Sequence, residues 1–113
     1  MSLEAYFAAQ PEEWRSIFEA VRAAIEEAGS VAVEAVSVGV FFKRGRTFAE
    51  LRPKKGRFVL SILLSRRVAH PLVARIVSGS GRRVAHFIDL RSAVDVDDVV
   101  RSWLAEGYLE SPV

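Results

Sequence analysis

Residues 38–64 alternate apolar and polar side chains around two turn signals, and this pattern constrains the fold more than any other feature of the sequence. Gly45-Arg46 suits a two-residue hairpin loop of type II′, which prefers glycine at its first position. The segment Pro53-Lys54-Lys55-Gly56 is typical of a second turn. The pattern therefore predicts a meander of three antiparallel strands.

Each of the two turns predicts a register for its pair of strands, and the two registers can be compared. If Arg44 faces Thr47 across the first turn, Phe42 faces Ala49. If Arg52 faces Arg57 across the second turn, Ala49 faces Leu60. Both assignments place the same apolar residues on one face, as a correct register should. This predicted core face collects Val38, Val40, Phe42, Ala49, Leu51, Phe58, Leu60, Ile62 and Leu64. The opposite face collects Phe41, Lys43, Phe48, Glu50, Arg52, Arg57, Val59, Ser61 and Leu63.

Apolar residues at helical spacing flank the meander. They predict helices over about 11–28 and about 96–109. Further strands are predicted at 31–36 and 82–90, and 74–77 is a candidate for a short strand. The chain is predicted to form a single α+β domain over residues 1–113. Its antiparallel β-sheet would have four to five strands, with the meander centred on 38–64 and the N-terminal and C-terminal helices packed on one face.

Composition excludes several classes of function. The sequence has no cysteine, which rules out a disulfide scaffold, a thiol nucleophile and a cysteine-built zinc site. The longest runs without charge, residues 35–42 and 58–65, are far shorter than the ~20 apolar residues of a membrane helix. The N-terminal residues lack the features of a signal peptide, so we expect a cytoplasmic protein without membrane contact.

Positive charge is concentrated in the middle of the chain. Thirteen of the sixteen Lys and Arg residues lie within 41–91, where the only acids are Glu50 and Asp89. Such an uneven distribution is typical of a protein that binds an anion. The predicted non-core face also carries two phenylalanines, and aromatic rings beside cations form a stacking surface for unpaired bases. We therefore predict a non-enzymatic binding module for nucleic acid or another polyanion, with contacts from Phe41, Lys43, Arg44, Arg46, Phe48, Arg52, Lys54, Lys55 and Arg57.

Three alternatives use the same predicted sheet. Its exposed aromatic residues could form a homodimer seam through Phe41, Phe48, Val59 and Leu63. The connection 65–77 could instead cover this face within the chain. A small-ligand site or an enzyme active site would require a pocket between the sheet and the helices.

Other motifs point to ordinary structural roles. The segment around Lys55-Gly56 is similar to an RNA-recognition strand, but the predicted register turns Phe58 inward, where it cannot stack on a base. Residues 78–83 lack the context of a phosphate-binding loop. His86 is predicted to be a hydrogen-bonded histidine at the margin of the core, and Asp95 a helix cap. We predict no catalytic residue, no metal site and no cofactor.

Several segments together resemble a bacterial domain-of-unknown-function family, the one numbered 5655. The segments are Phe42 with Phe48-Ala49, the apolar strand 60–64 followed by Arg66-Arg67, and the acid-led helix over 95–108. The resemblance covers nearly the whole chain. It implies the helix–sheet–helix fold and an intracellular bacterial origin, and it implies no catalytic residue because the family has no established activity.

Overall fold

Three α-helices and six strands follow one another in the computed structural model, which describes residues 1–79 and 81–111. The helices are α1 (Leu3–Ala8), α2 (Glu12–Glu26) and α3 (Asp98–Glu110), and a 3-10 turn (Ala93–Asp95) precedes α3. The strands are β1 (Ala32–Val36), β2 (Gly39–Arg44), β3 (Arg46–Lys54), β4 (Arg57–Leu64), β5 (Arg75–Ser78) and β6 (Val84–Leu90).

The strands form one antiparallel sheet in the order β1-β2-β3-β4-β6-β5. The predicted α+β class and antiparallel sheet are confirmed. The predicted number of four to five strands is wrong, because the described residues form six. Both short outer segments pair fully: β1 lies beside β2, and β5 lies beside β6 rather than beside the meander.

The first hairpin of the meander follows the predicted register only at its base. Val40 pairs with Leu51 and Phe42 pairs with Ala49, as predicted. Nearer the tip the register shifts, and Lys43 pairs with Thr47. This shift leaves Phe48 as an extra residue in β3, which is a β-bulge.

The second hairpin is shifted by two residues from the prediction. Leu51 pairs with Leu60, and Lys54 pairs with Arg57. The loop is therefore Lys55-Gly56, whose φ angles of 52° and 77° are those of a type I′ turn. Because side chains alternate with a period of two, this shift leaves every residue of β4 on its predicted face.

The core lies between the sheet and the helices α2 and α3. Trp14 of α2 stacks on Phe58 with ring centroids 4.5 Å apart, and Phe18 of the same helix packs on Phe42 at 5.8 Å. Except for Val38, the residues of the predicted core face are buried. Val38 is 50% exposed because it lies in the turn between β1 and β2.

The helices α1 and α3 begin at side-chain caps. Ser2 Oγ accepts a hydrogen bond from Ala5 N–H at 3.0 Å before α1. At α3 the cap is Asp97, whose Oδ1 accepts from Val100 N–H at 3.0 Å, whereas Asp95 closes the preceding 3-10 turn. Among the described residues, no helix has the length and apolar character needed to cross a bilayer.

A candidate anion-binding cleft on the outer sheet face

The sheet face that points away from α2 and α3, called the outer face below, carries most of the meander's charge. One row of residues crosses it on five neighbouring strands. In the order β2, β3, β4, β6 and β5, the row consists of Phe41, Glu50, Ser61, Phe87 and Arg75. The pairing of the strands thus brings β5 and β6 side chains next to the meander.

The connection between β4 and β5 leaves the outer face open. It runs on the helix side, where Val68 is buried and its N–H donates to His86 Nε2 at 2.9 Å. The His70 ring packs edge-on against Trp103 of α3, with centroids 5.2 Å apart. The alternative that residues 65–77 cover the outer face is therefore wrong. Only Ala74 and Arg75 of this segment reach the rim of the cleft described below.

Phe48 was predicted on the outer face, and this placement is wrong. Its side chain is completely buried and packs edge-on against Tyr108 of α3, with ring centroids 5.9 Å apart. The physical reason is the bulge. Phe48 and Ala49 both oppose Phe42, so both turn toward the core. Phe48 is thus unable to stack on a base or to join a dimer seam.

Arg44 was also predicted to contact an anion, but it faces the helices. Its Nη1 donates to the carbonyl oxygen of Tyr108 at 2.9 Å, and its guanidinium lies 4.3 Å from the centroid of the Tyr108 ring. Ser111 Oγ donates in turn to the Arg44 carbonyl at 2.7 Å. Arg44 therefore satisfies a carbonyl at the C-terminus of α3, where a cation is also favoured by the helix dipole.

Two more predicted residues of the first hairpin lie away from the cleft. Arg46 is exposed at the hairpin tip, beside Gly45. Lys43 lies on the outer face near β1, where its Nζ donates to Glu34 Oε1 at 3.0 Å. Both remain available to a large partner, but neither lines the cleft.

A cleft of about 390 Å³ lies on the outer face between β3 and β5. Val59, Ser61 and Phe87 form its floor, and Val59 is nearly buried by its longer neighbours. Cations and acids stand around this floor. The cations are Arg52, Lys54, Arg57 and Arg75, and the acids are Glu50 and Asp89.

Two ion pairs hold arginines of the cleft in place. Arg57 Nη1 donates to Asp89 Oδ2 at 2.7 Å, and Arg52 Nη2 donates to Glu50 Oε1 at 2.9 Å. Both arginine side chains are about half exposed, so the pairs contribute little to stability. A guanidinium carries five N–H donors, and each of these bonds uses one of them. The remaining donors can reach a ligand from a defined position.

Two guanidinium groups of the cleft lie over aromatic rings. Arg75 lies 4.3 Å from the centroid of Phe87, and Arg52 lies 5.3 Å from the centroid of Phe41. A guanidinium over a ring is attracted by the ring's quadrupole, and its own plane can accept a stacked base. The cleft therefore has a guanidinium supported by an aromatic ring on each side.

The second hairpin extends the positive charge beyond the cleft. Lys54, Lys55 and Arg57 are exposed at its tip, and the first and last of them also line the cleft. Of the nine residues predicted to bind an anion, the structure thus brings together Arg52, Lys54 and Arg57, with Phe41 beneath Arg52 and Lys55 at the tip.

Arg75, Phe87 and Asp89 were missed as site residues. Alternation within 82–90 already places Phe87 and Asp89 on the strand face opposite His86, which is a usable signal. What the sequence does not reveal is that β6 pairs with β4, so that Phe87 lies beside Ser61. Arg75 follows from the pairing of β5 with β6, which has no local signal.

The homodimer alternative predicted from the sequence loses part of its surface in the structure. Of the four residues of the predicted dimer seam, Phe41 and Leu63 lie half-buried on the outer face, whereas Phe48 and Val59 are buried. A pocket between sheet and helices would lie among side chains of near-zero exposure. The 390 Å³ cleft lies on the other side of the sheet.

The remaining motifs have the structural roles described above or fall partly outside the described residues. His86 is buried, and its Nδ1 lies 3.0 Å from the Val84 carbonyl, so its predicted role as a hydrogen-bonded histidine is confirmed. The loop 78–83 includes Ser80, which lies outside the described residues. Among the described residues, no cluster of three or more His, Asp or Glu side chains is arranged to hold a metal ion.

Comparison with known proteins identifies the family. No curated protein and no solved structure matches the chain. The profile of the Domain of unknown function (DUF5655) matches residues 3–111, which include every helix and strand described above. The chain therefore belongs to the DUF5655 family, as its sequence resemblance predicted.

Proposed function

We propose that this chain is a non-enzymatic, cytoplasmic binding module whose outer face binds an anionic partner, and that the partner is single-stranded nucleic acid. One observation carries the proposal. On a face that no described segment covers, four cations surround a cleft with a partly aromatic floor. This combination of cations and rings is typical of surfaces that bind unpaired nucleic acid.

The contacts would be divided between the cleft and the hairpin tip. Arg52, Arg57 and Lys54 would bind phosphate oxygens, because guanidinium and ammonium groups form charge-assisted hydrogen bonds with phosphate. Lys55 and Lys43 would add weaker electrostatic attraction at the edges. Bases would stack on the guanidinium planes of Arg52 and Arg75. Phe48 and Arg44 have no part in this proposal, since both contact α3.

Titration of a fluorescent single-stranded oligonucleotide of mixed sequence tests the proposal. Binding measured by anisotropy should be strongest at ~50 mM salt and should weaken steeply by ~200 mM, since cation–phosphate contacts release counterions. The double variant Arg52→Gln/Arg57→Gln should bind at least about ten-fold more weakly. Its salt slope should also fall by about 1.4, the value for two lost contacts to a single strand.

A matched control has the same change in charge on the helices. The variant Arg15→Gln/Arg101→Gln removes two exposed arginines from α2 and α3 and should bind like the unmodified chain. Absence of oligonucleotide binding at ~50 mM salt, where such contacts are strongest, would refute the proposal. Equal losses in both double variants would mean that only net charge matters and that the outer face is not the site.

A homodimer through the outer face is the alternative that a second measurement, light scattering, has to exclude. Light scattering gives the mass of the free chain and of its complex. A chain that is dimeric alone and becomes monomeric when the oligonucleotide binds would show that both use this face. Phe48→Glu is not a useful variant for this purpose, because it would place a charge in the core.

A further inference from the structure

We infer that the cleft is a subsite for one nucleotide, and that it binds a free nucleoside monophosphate. The inference rests on the proposed function, because it names the unit that a single strand would place in the cleft. The cleft volume of about 390 Å³ lies near the lower end of the range for small-molecule sites, about 300–1,000 Å³. It suits a ligand of one ring and one anionic group rather than several linked nucleotides.

The charges in the cleft are arranged in rows that match the parts of a nucleotide. Lys54 and Arg57 face each other in the row nearest the hairpin tip. The next row contains Arg52, Val59 and Asp89. The third row contains Glu50, Ser61, Phe87 and Arg75. Neighbouring rows are two residues apart along each strand, which is about 7 Å.

The acids of the cleft favour a ligand that carries hydrogen-bond donors as well as an anionic group. An ionised carboxylate only accepts hydrogen bonds, and Arg57 and Arg52 each donate one bond to Asp89 and Glu50, so the remaining lone pairs of the two acids require donors from the ligand. They would favour a ligand that presents donors at their rows. A ribose supplies hydroxyl donors, and several bases supply an amino group. The ligand class is therefore an anion that also carries donors.

The rows then assign an orientation. The phosphate meets Lys54 and Arg57 near the tip, the sugar hydroxyls face Asp89, and the base lies in the third row. There it stacks against the guanidinium plane of Arg75, which Phe87 supports from below at 4.3 Å. An amino group on the base would donate to Glu50. This predicts that cytidine monophosphate binds more tightly than uridine monophosphate.

Calorimetric titration of the full chain at ~50 mM salt tests the subsite with four ligands. These are cytidine monophosphate, uridine monophosphate, cytidine and inorganic phosphate. We expect cytidine monophosphate to bind at least about ten-fold more tightly than cytidine or inorganic phosphate, and to displace a labelled oligonucleotide. Arg75→Gln and Phe87→Leu should each weaken its binding several-fold. Arg15→Gln, on α2, should have no effect.

The outcomes separate the subsite from the proposed function. An oligonucleotide that binds without competition from cytidine monophosphate would overturn the subsite and leave the function intact. Binding of cytidine monophosphate without binding of the oligonucleotide would overturn the function and support the subsite as a small-ligand site. The subsite would be overturned if inorganic phosphate bound as tightly as the nucleotide. It would also be overturned if Arg75→Gln and Phe87→Leu both left nucleotide binding unchanged.

Discussion

The two ends of the β3–β4 pair carry similar numbers of cations, yet they have opposite surroundings. At the end near Gly45, called the anchored end below, the last turns of α3 pack on the strands and Arg44 donates to the Tyr108 carbonyl. At the other end, called the free end, the tip Lys55-Gly56 and its neighbouring cations are exposed. A count of basic residues does not distinguish these ends.

One inserted residue contributes to the difference. The bulge in β3 adds Phe48 to the core at the anchored end. The free end has a regular register and a type I′ turn, which keeps Arg52 and Arg57 on the outer face. Cations of one basic segment therefore have structural roles at one end and are available to a ligand at the other.

The largest expected effect concerns two phenylalanines on opposite faces of the sheet, Phe48 in the core at the anchored end and Phe41 on the outer face. Phe48→Ala should lower the free energy of unfolding by about 3–5 kcal/mol, because it leaves a cavity in a packed core. Phe41→Ala should cost about 1 kcal/mol, since Phe41 is only half-buried beneath Arg52. Urea denaturation monitored by circular dichroism measures both. Equal losses in the two variants would contradict the role assigned to the bulge.

The bulge also marks the limit of what the sequence predicts. The alternation of apolar and polar residues in β4 identifies the side chains that face the core. Because this alternation has a period of two, the two-residue error in the register of the second hairpin does not change the result. The position of Phe48 depends on a single shift inside a hairpin, which alternation does not encode. In the outer cleft, Arg52 and Arg57 were predicted because the register of the meander places them on the face opposite the core. Alternation also indicates the face of Phe87, but its place beside Ser61 depends on the pairing of β6 with β4, and the place of Arg75 depends on the pairing of β5 with β6. The sequence has no local signal for either pairing.

The next effect compares arginines at the two ends. Arg44→Ala should destabilise the fold by about 1–2 kcal/mol, because it removes a charge-assisted hydrogen bond and a cation–π contact at the end of α3. Arg52→Ala should change stability by less than about 1 kcal/mol, because its ion pair is exposed. Urea denaturation gives the two stabilities, and anisotropy gives the two affinities.

Arg44→Ala should therefore mainly lower stability, and Arg52→Ala should mainly lower the affinity for the oligonucleotide. Arg44→Ala should retain oligonucleotide binding in the folded chain, whereas Arg52→Ala should weaken it. If Arg44→Ala weakened binding at least as much as Arg52→Ala and left stability unchanged, the structural role assigned to Arg44 would be wrong.

A smaller effect is expected at the tip of the free end. Lys55 has a φ of 52°, a left-handed conformation that asparagine tolerates better than lysine, and Asn-Gly is the preferred pair for a type I′ turn. Lys55→Asn should raise the free energy of unfolding by about 0.5 kcal/mol. The thermal midpoint should rise accordingly. A fall in that midpoint would mean that the Lys55 side chain makes a stabilising contact at the tip.

The smallest effect concerns the pH dependence of the anchored end. Arg66, just after β4, donates two hydrogen bonds of 2.8 Å to the Glu106 carboxylate of α3. The hydrogen bonding with Arg66 lowers the pKa of Glu106 below its usual value, and the charge of Arg66 acts in the same direction. A lowered pKa in the folded state stabilises the fold above the unfolded pKa of about 4.3, and this contribution is lost as the pH falls through the folded value.

Glu106→Gln should therefore be less stable than the unmodified chain at pH 7, and the difference should shrink at about pH 3. The effect is small because the Arg66 side chain is 56% exposed and water screens the pair. Urea denaturation at both pH values measures it, with Glu19→Gln on the exposed side of α2 as the control for loss of an acid. A difference that grows toward acid would reverse the sign, and Glu106 would then no longer count among the residues that fix the anchored end.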